Sequence, residues 1–205
     1  MFLWFYFKKS KNYKDFLSEN GFWLDEYAVF EAALSVFKVN KISDLPDGIR
    51  HKIPFFLNEF EKKHKEQIDF YKIAQYFFYC QYYDLKRYAN QNGVKIIGDM
   101  PFYVSPDSAD VWGNPDNFFI GRNFKPTMVA GVQPDVFSQD DQLWGNPIYN
   151  WQSMRENGYK WWKSRLLFCR DMYDVIRIDH FRAFAAFYQI PYGKSATEGE
   201  WVNGE

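Results

Sequence analysis

Apolar residues recur at three- and four-residue steps over residues 23–37, where Trp23, Tyr27, Phe30, Leu34 and Phe37 share one face, and this spacing predicts a helix. A polar break containing Pro46 and Gly48 follows. Ile68, Tyr71, Gln75, Phe78, Tyr82, Leu85 and Ala89 predict a second, longer helix that Asn92-Gly93 would stop. Val94-Lys-Ile-Ile97 then reads as a short buried strand rich in β-branched residues. The same order returns downstream. Residues 151–172 predict one helix, with Met154, Trp161, Trp162, Arg165 and Phe168 on one side, and residues 173–178 predict a strand. Helices feeding short strands, without two-residue hairpin turns, predict an α/β fold with parallel pairing.

Residues 100–150 lack any sustained period and hold Pro101, Pro106, Pro115, Pro126, Pro134 and Pro147. They predict a long loop, either an active-site loop or an ordered surface wrap. Its groups suit a polyol: Asp99 at its root, then Tyr103, Asp107, Trp112, Asn114, Asp135, Trp144 and Asn146.

Composition sharpens this picture at one point. Phe 22, Tyr 15 and Trp 8 bring the aromatic fraction of the 205 residues to 22%; many of these rings suit the core, and others, with a flat apolar face and a polar tip, suit a wet stacking site. Lys plus Arg number 25 against 26 acidic residues, and a net charge of -1 gives no electrostatic reason for nucleic acid or an anionic membrane as partner. The apolar opening, Met1-Phe-Leu-Trp-Phe-Tyr-Phe7, is too short for a membrane span, and its lysines follow it, unlike those of a signal peptide. Cys80 and Cys169 form no CxxC and have no histidine at a ligand spacing, so neither a disulfide framework nor a metal site is expected, and the cytoplasm is the expected location.

Phosphate loops, GxGxxG, HExxH and GxSxG motifs are all missing from the sequence. Of the three histidines, His51 and His64 sit in charged stretches and read as surface residues. His180 is different, because it closes Val175-Ile-Arg-Ile-Asp-His180. Side chains alternate along a strand, so Val175, Arg177 and Asp179 share one face, expected to point inward, while Ile176 and Ile178 pack outward against helices. An arginine beside Asp179 keeps that carboxylate ionised, as a nucleophile requires; a buried salt bridge tying strands together is the alternative. Asp99 stands at the end of the earlier strand just as Asp179 stands at the end of its own, and parallel α/β folds gather catalytic groups at such ends. Carboxylates, an arginine, a histidine and a loop full of Trp, Tyr and Asn together favour glycoside chemistry. Whether Asp99 is the second carboxyl group of such a pair is not fixed by spacing.

The sequence resembles the 4-α-glucanotransferases, or amylomaltases, of glycoside hydrolase family 77. The resemblance rests on Ile97-Gly-Asp-Met-Pro-Phe-Tyr-Val104, Asp107-Ser-Ala-Asp-Val-Trp112, Asn114-Pro115, Val129-Ala-Gly-Val132 with Pro134-Asp135, Trp144-Gly-Asn-Pro147 and Val175-Ile-Arg-Ile-Asp-His-Phe-Arg182. Trp23-Leu-Asp-Glu-Tyr-Ala28 and the stretch from Thr197 to Trp201 extend it. It implies a partial (β/α)8 barrel, with residues 1–93 as a mainly helical insertion and residues 94–205 carrying barrel strands and active-site loops. It also implies transfer of an α-1,4-glucan segment to the 4-hydroxyl of another glucan through a covalent glucosyl-enzyme. Asp179 matches the nucleophile and Arg177 its partner. His180, Asp99, Tyr103, Asp135, Trp144 and Asn146 match substrate-binding positions. α-1,4-Glucans and maltooligosaccharides are the implied partners, and no cofactor is required. An α-glucan hydrolase and a non-catalytic glucan-binding remnant are the competing readings.

Ala183, Gln133 and Val136 depart from the family pattern, which has Gly, Pro and an aromatic there; these touch loop shape more than the chemical step. The resemblance places the acid/base glutamate and a second, stabilising aspartate beyond the nucleophile strand, outside these 205 residues, and the first barrel strands before Trp23. The chain is therefore expected to be the middle of an enzyme, with little activity and low stability by itself.

Overall fold

The computed structural model describes residues 10–133 and 142–205. The chain forms two compact units, Met1–Gly93 and Val94–Glu205, which are taken in turn.

The first unit is helical. Helix α1 (Lys11–Phe37) starts well before the predicted position because Ser10 caps it, its side chain accepting the Tyr13 N–H at 3.2 Å, and because Tyr13 and Phe16 extend the apolar face backwards. It ends at Lys38 in the left-handed conformation. Short α2 (Asp47–Arg50) leads to α3 (Pro54–Lys63), which the sequence reading missed and whose proline occupies the first turn, where no N–H is needed. Helix α4 (Lys65–Gln91) extends the second predicted helix slightly at both ends. Helices α1 and α4 pack through rings: Tyr13 lies edge-on to Tyr76 at 5.2 Å, Phe16 edge-on to Tyr79 at 5.0 Å, and Trp23 stacks on Tyr79 at 6.0 Å. Edge and offset geometries suit the ring quadrupoles and contribute about 0.5–1.5 kcal/mol per pair beyond area burial. Gln75 donates to the Tyr27 hydroxyl at 3.1 Å and fixes the helix register.

The second unit holds two sheets. Strands β1 (Ile97–Met100) and β4 (Val175–Ile178) pair in parallel, with Asp99 opposite Arg177. The first predicted strand thus begins at Ile97 instead of Val94, and Asp99 lies within it, followed by Met100. The other sheet is antiparallel, in the order β3 (Gln142–Pro147), β2 (Met128–Val132), β5 (Ala186–Pro191), β6 (Glu200–Asn203). This corrects the expectation of a hairpin-free, parallel architecture and of a long unstructured loop. The strands are short, one pairing is interrupted by a register shift between Val129 and Gly131, and the connection from β5 to β6 runs through a 3₁₀ turn at Ala196–Glu198, so no two-residue turn announces them. Short α5 (Ala109–Gly113), capped by Ser108, and a 3₁₀ turn at Pro115–Asn117 add further order to that stretch. The architecture is mixed α/β, and among the described residues the parallel pair does not close into a barrel.

The single helix predicted over residues 151–172 is two: α6 (Trp151–Glu156) and α7 (Lys160–Met172). The chain breaks at Gly158 and Tyr159, whose φ values of 70° and 56° are left-handed, a conformation no helix continues through. Gly98 has a different reason to be glycine: a Cβ there would collide with the Tyr173 ring, so β1 and the start of β4 can approach closely only without one. The core of this unit is aromatic, with Trp112, Phe102 and Tyr149 buried beside Ile148 and Met154. Each fully buried ring of this kind contributes roughly 1.5–3 kcal/mol from area alone. Among the described residues, no helix is long and apolar enough to cross a membrane.

Candidate active site

The parallel register of β1 and β4 sets the site. It places Asp99 across from Arg177, and the Arg177 guanidinium spreads between two carboxylates: Nη1 donates to Asp99 Oδ2 at 2.6 Å and Nη2 to Asp179 Oδ1 at 2.9 Å. The Asp179 N–H donates to the Met100 carbonyl at 3.0 Å, carrying the ladder one step beyond β4 and fixing where that carboxylate starts. The planar fork of arginine holds both acids in one orientation, which the point charge of a lysine would not do.

This triad is not buried as expected. The Arg177 side chain is 61% exposed, and those of Asp99 and Asp179 are 54% exposed, because a two-stranded sheet leaves the face they share uncovered. At that exposure an ion pair contributes about 0–1 kcal/mol, so the fork's value lies in orientation more than in stability.

His180 follows with φ of 50°, a left-handed residue that ends the strand and opens the 3₁₀ turn Phe181–Phe184. Its ring meets an aromatic wall: Trp144 lies edge-on at 5.0 Å, Tyr103 at 6.1 Å and Phe102 at 6.3 Å. Burial against these rings pushes the imidazole below its ordinary range; Asp179 opposes that shift and Arg182 adds to it. At neutral pH this histidine is neutral, able to donate one hydrogen bond and accept another.

The wall has its own scaffold. Tyr103 stacks on Tyr149 at 5.8 Å, and burial holds its phenol protonated far above the usual range. The Tyr149 hydroxyl donates to the Phe102 carbonyl, to which Arg165 Nη1 also donates at 3.0 Å, while Arg165 Nη2 donates to the Pro101 carbonyl. A segment with no regular structure is thus pinned by a helix arginine and a buried tyrosine. Asn146 donates to the Val104 carbonyl at 2.8 Å, tying β3 to the same segment. The Trp144 indole donates to Gln142 at 3.0 Å.

The structure therefore brings together Asp99, Arg177, Asp179, His180, Tyr103 and Trp144, with Asn146 turned to the backbone; Asp135 lies outside the described residues. Sequence reasoning missed Tyr149 altogether and took Arg165 only as a helix-face position. An arginine on the face that also carries Trp161 and Trp162 was the available signal, since a charge among buried rings needs partners, and here its guanidinium lies over both indoles. Chemically, the site offers an oriented carboxylate as nucleophile, a neutral imidazole for hydrogen bonding, and flat aromatic surface for a ring-shaped polyol.

Comparison with known proteins identifies the family. The family model of glycoside hydrolase family 77, described as 4-alpha-glucanotransferase, matches residues 5–205. The 4-alpha-glucanotransferase of Streptococcus pneumoniae is 41% identical over 196 residues, covering 95% of this chain and 39% of that protein. The Aquifex aeolicus 4-alpha-glucanotransferase is 38% identical, covering 96% and 40%. Among solved structures, the amylomaltase of Streptococcus agalactiae in complex with acarbose superimposes with a TM-score of 0.90 at 39% identity, covering 97% of this chain and 41% of its own. Corynebacterium glutamicum amylomaltase, at 20% identity and a TM-score of 0.74, shares the fold. The chain spans about two fifths of the length of the first three of these proteins. With a model match along nearly its whole length and relatives near 40% identity, the chain belongs to glycoside hydrolase family 77, the 4-alpha-glucanotransferases.

Proposed function

We propose that these residues form the nucleophile half of an active site that transfers an α-1,4-glucan segment from a donor to the 4-hydroxyl of an acceptor glucan. The observation that carries this reading is the Arg177 fork between Asp99 and Asp179, set beside His180 and the Trp144–Tyr103 wall. Asp179 attacks the anomeric carbon of the bound glucosyl unit as the bond to the leaving oxygen breaks, and the acceptor hydroxyl later displaces it, so two inversions give net retention. Arg177 keeps the attacking oxygen aimed. Asp99 and His180 hold hydroxyls of the sugar at the cleavage point; Trp144 and Asn146 border its acceptor side, with Tyr103 as a further substrate contact, while Asp135 keeps the substrate-binding role that the family resemblance implies.

The strands carrying these groups are read as part of a (β/α)8 barrel, with residues 1–93 as its helical insertion. The proton for the leaving oxygen is assigned to a glutamate of the remaining barrel, which leaves these 205 residues with little turnover by themselves, since general acid catalysis contributes about 10² to 10⁴-fold. Acarbose bound to the Streptococcus agalactiae relative supports an oligosaccharide as ligand.

The test grafts residues 5–205 into the corresponding stretch of the Streptococcus pneumoniae relative and supplies maltotriose. Glucose together with longer oligomers is expected, with loss of at least about 10⁴-fold in Asp179→Asn. Glucose and maltose without longer products would make the protein a hydrolase. Turnover undiminished in Asp179→Asn would remove that residue from the mechanism.

A further inference from the structure

Tyr149, whose ring stacks on Tyr103 at 5.8 Å, also meets Phe118 at 5.4 Å. Phe118 is the floor of a separate open concavity of about 450 Å³, with Asp116, Phe119, Phe124, Asn150 and Ser153 around it. Its size falls within the range of about 300–1,000 Å³ typical of small-molecule sites. It shares no lining residue with the Asp99, Arg177, Asp179 and His180 cluster, and one tyrosine ring stands between the two.

The cup is built from pinned backbone. The Phe119 N–H donates to the Ile148 carbonyl at 2.9 Å, and the Phe119 carbonyl accepts both the N–H and the hydroxyl of Thr127, at 2.9 and 3.2 Å. Locked in this way, Phe119 nevertheless leaves its side chain at the surface, 41% exposed. Phe124 closes the opposing turn with φ of 60°, unusual for so bulky a residue, and its N–H donates to the Gly121 carbonyl at 2.9 Å. Among the described residues the Asp116 carboxylate and the Ser153 hydroxyl meet no protein partner. Asn150 spends its side-chain oxygen on the Ser153 N–H, at 3.3 Å, and keeps its amide hydrogens. One carboxylate, one hydroxyl and one amide around aromatic rings match the hydroxyls and the apolar face of a pyranose. The lining contains neither lysine nor arginine, which disfavours phosphorylated or other anionic ligands.

We propose that this cup is a second carbohydrate subsite, holding a neutral pyranose unit of an α-glucan with its face on Phe119 and its hydroxyls on Asp116, Asn150 and Ser153. The choice of glucan rests on the function proposed above. A backbone already pinned at Phe119 loses little freedom on binding, so the ordering cost is confined to the side chains.

The experiment follows backbone amide shifts of the full 205-residue chain, with the grafted enzyme as second host, during titration with maltoheptaose. Amides of residues 118–127 are expected to move in the parent protein and in Trp144→Ala. Phe119→Ala should weaken that response about tenfold, the equivalent of 1.4 kcal/mol, and Asp116→Asn should weaken it less. Movement near Asp179 with none in residues 118–127 overturns the cup and leaves the proposed function standing. Movement in the cup alone supports it and overturns the reading of the Asp179 site, while silence at both overturns both. An equal response to sorbitol also overturns the cup, because a built pyranose site distinguishes a ring from an open chain.

Discussion

Arg177 and Asp99 face each other across the β1–β4 ladder, and the guanidinium that reaches Asp99 at 2.6 Å reaches Asp179 with its other nitrogen at 2.9 Å. Arg177→Lys keeps the charge but cannot span both acids. In the grafted enzyme kcat is expected to fall about 10²-fold, the usual consequence of misplacing a reacting group by an ångström, with KM nearly unchanged. A fall in KM alone would contradict an orienting role.

His180 supplies the pH prediction. Its imidazole lies below the ordinary 6.5 in the folded chain, chiefly through burial, so the unfolded chain binds more protons between the two values. Stability therefore rises with pH across that window and is lost as pH falls below about 6.5. A ring-nitrogen titration by NMR should give a midpoint under that value, and Trp144→Ala, by admitting water, should move it upward.

Gly98→Ala drives a methyl group into the Tyr173 ring beside the Asp99 position. Overpacking of this kind costs about 1–3 kcal/mol, so a lower denaturant midpoint is expected. Tyr173→Ala should recover part of that loss in the double variant, since it removes the obstacle.

Tyr149→Phe removes the hydroxyl that donates to the Phe102 carbonyl and accepts from Arg165 Nη1 at 3.4 Å, and leaves the ring in the core. Arg165 still donates to that carbonyl at 3.0 Å, so the expected cost is about 0.5–1.5 kcal/mol in denaturant unfolding. Removing Arg165 instead frees both the Pro101 and Phe102 carbonyls and should cost more.

How much of this was legible beforehand depended on the kind of signal. Long helices with ring-rich faces were readable because one face must be buried, and α4 differs from its predicted span by a few residues. The site was readable because alternation puts Arg177 and Asp179 on one side of a strand, and because the motifs are dense. The antiparallel sheet was not, because its register is held by non-local pairing, such as Val129 with Ile190 and Tyr188 with Trp201, which leaves no local period. The split of α6 from α7 was available in Asn157-Gly158, but the tryptophan spacing on either side hid it. Exposure of the Arg177 fork was unreadable from alternation alone, since facing inward means little until the number of strands around that face is known.

The two-stranded parallel sheet has a practical consequence. Among the described residues β1 and β4 pair with each other alone, and Ile97 and Val175, paired across the ladder, are exposed on the face that carries Asp99 and Arg177. Ile97→Lys would place a cation on the same face as Asp99, two residues away, where it competes with Arg177 for that carboxylate.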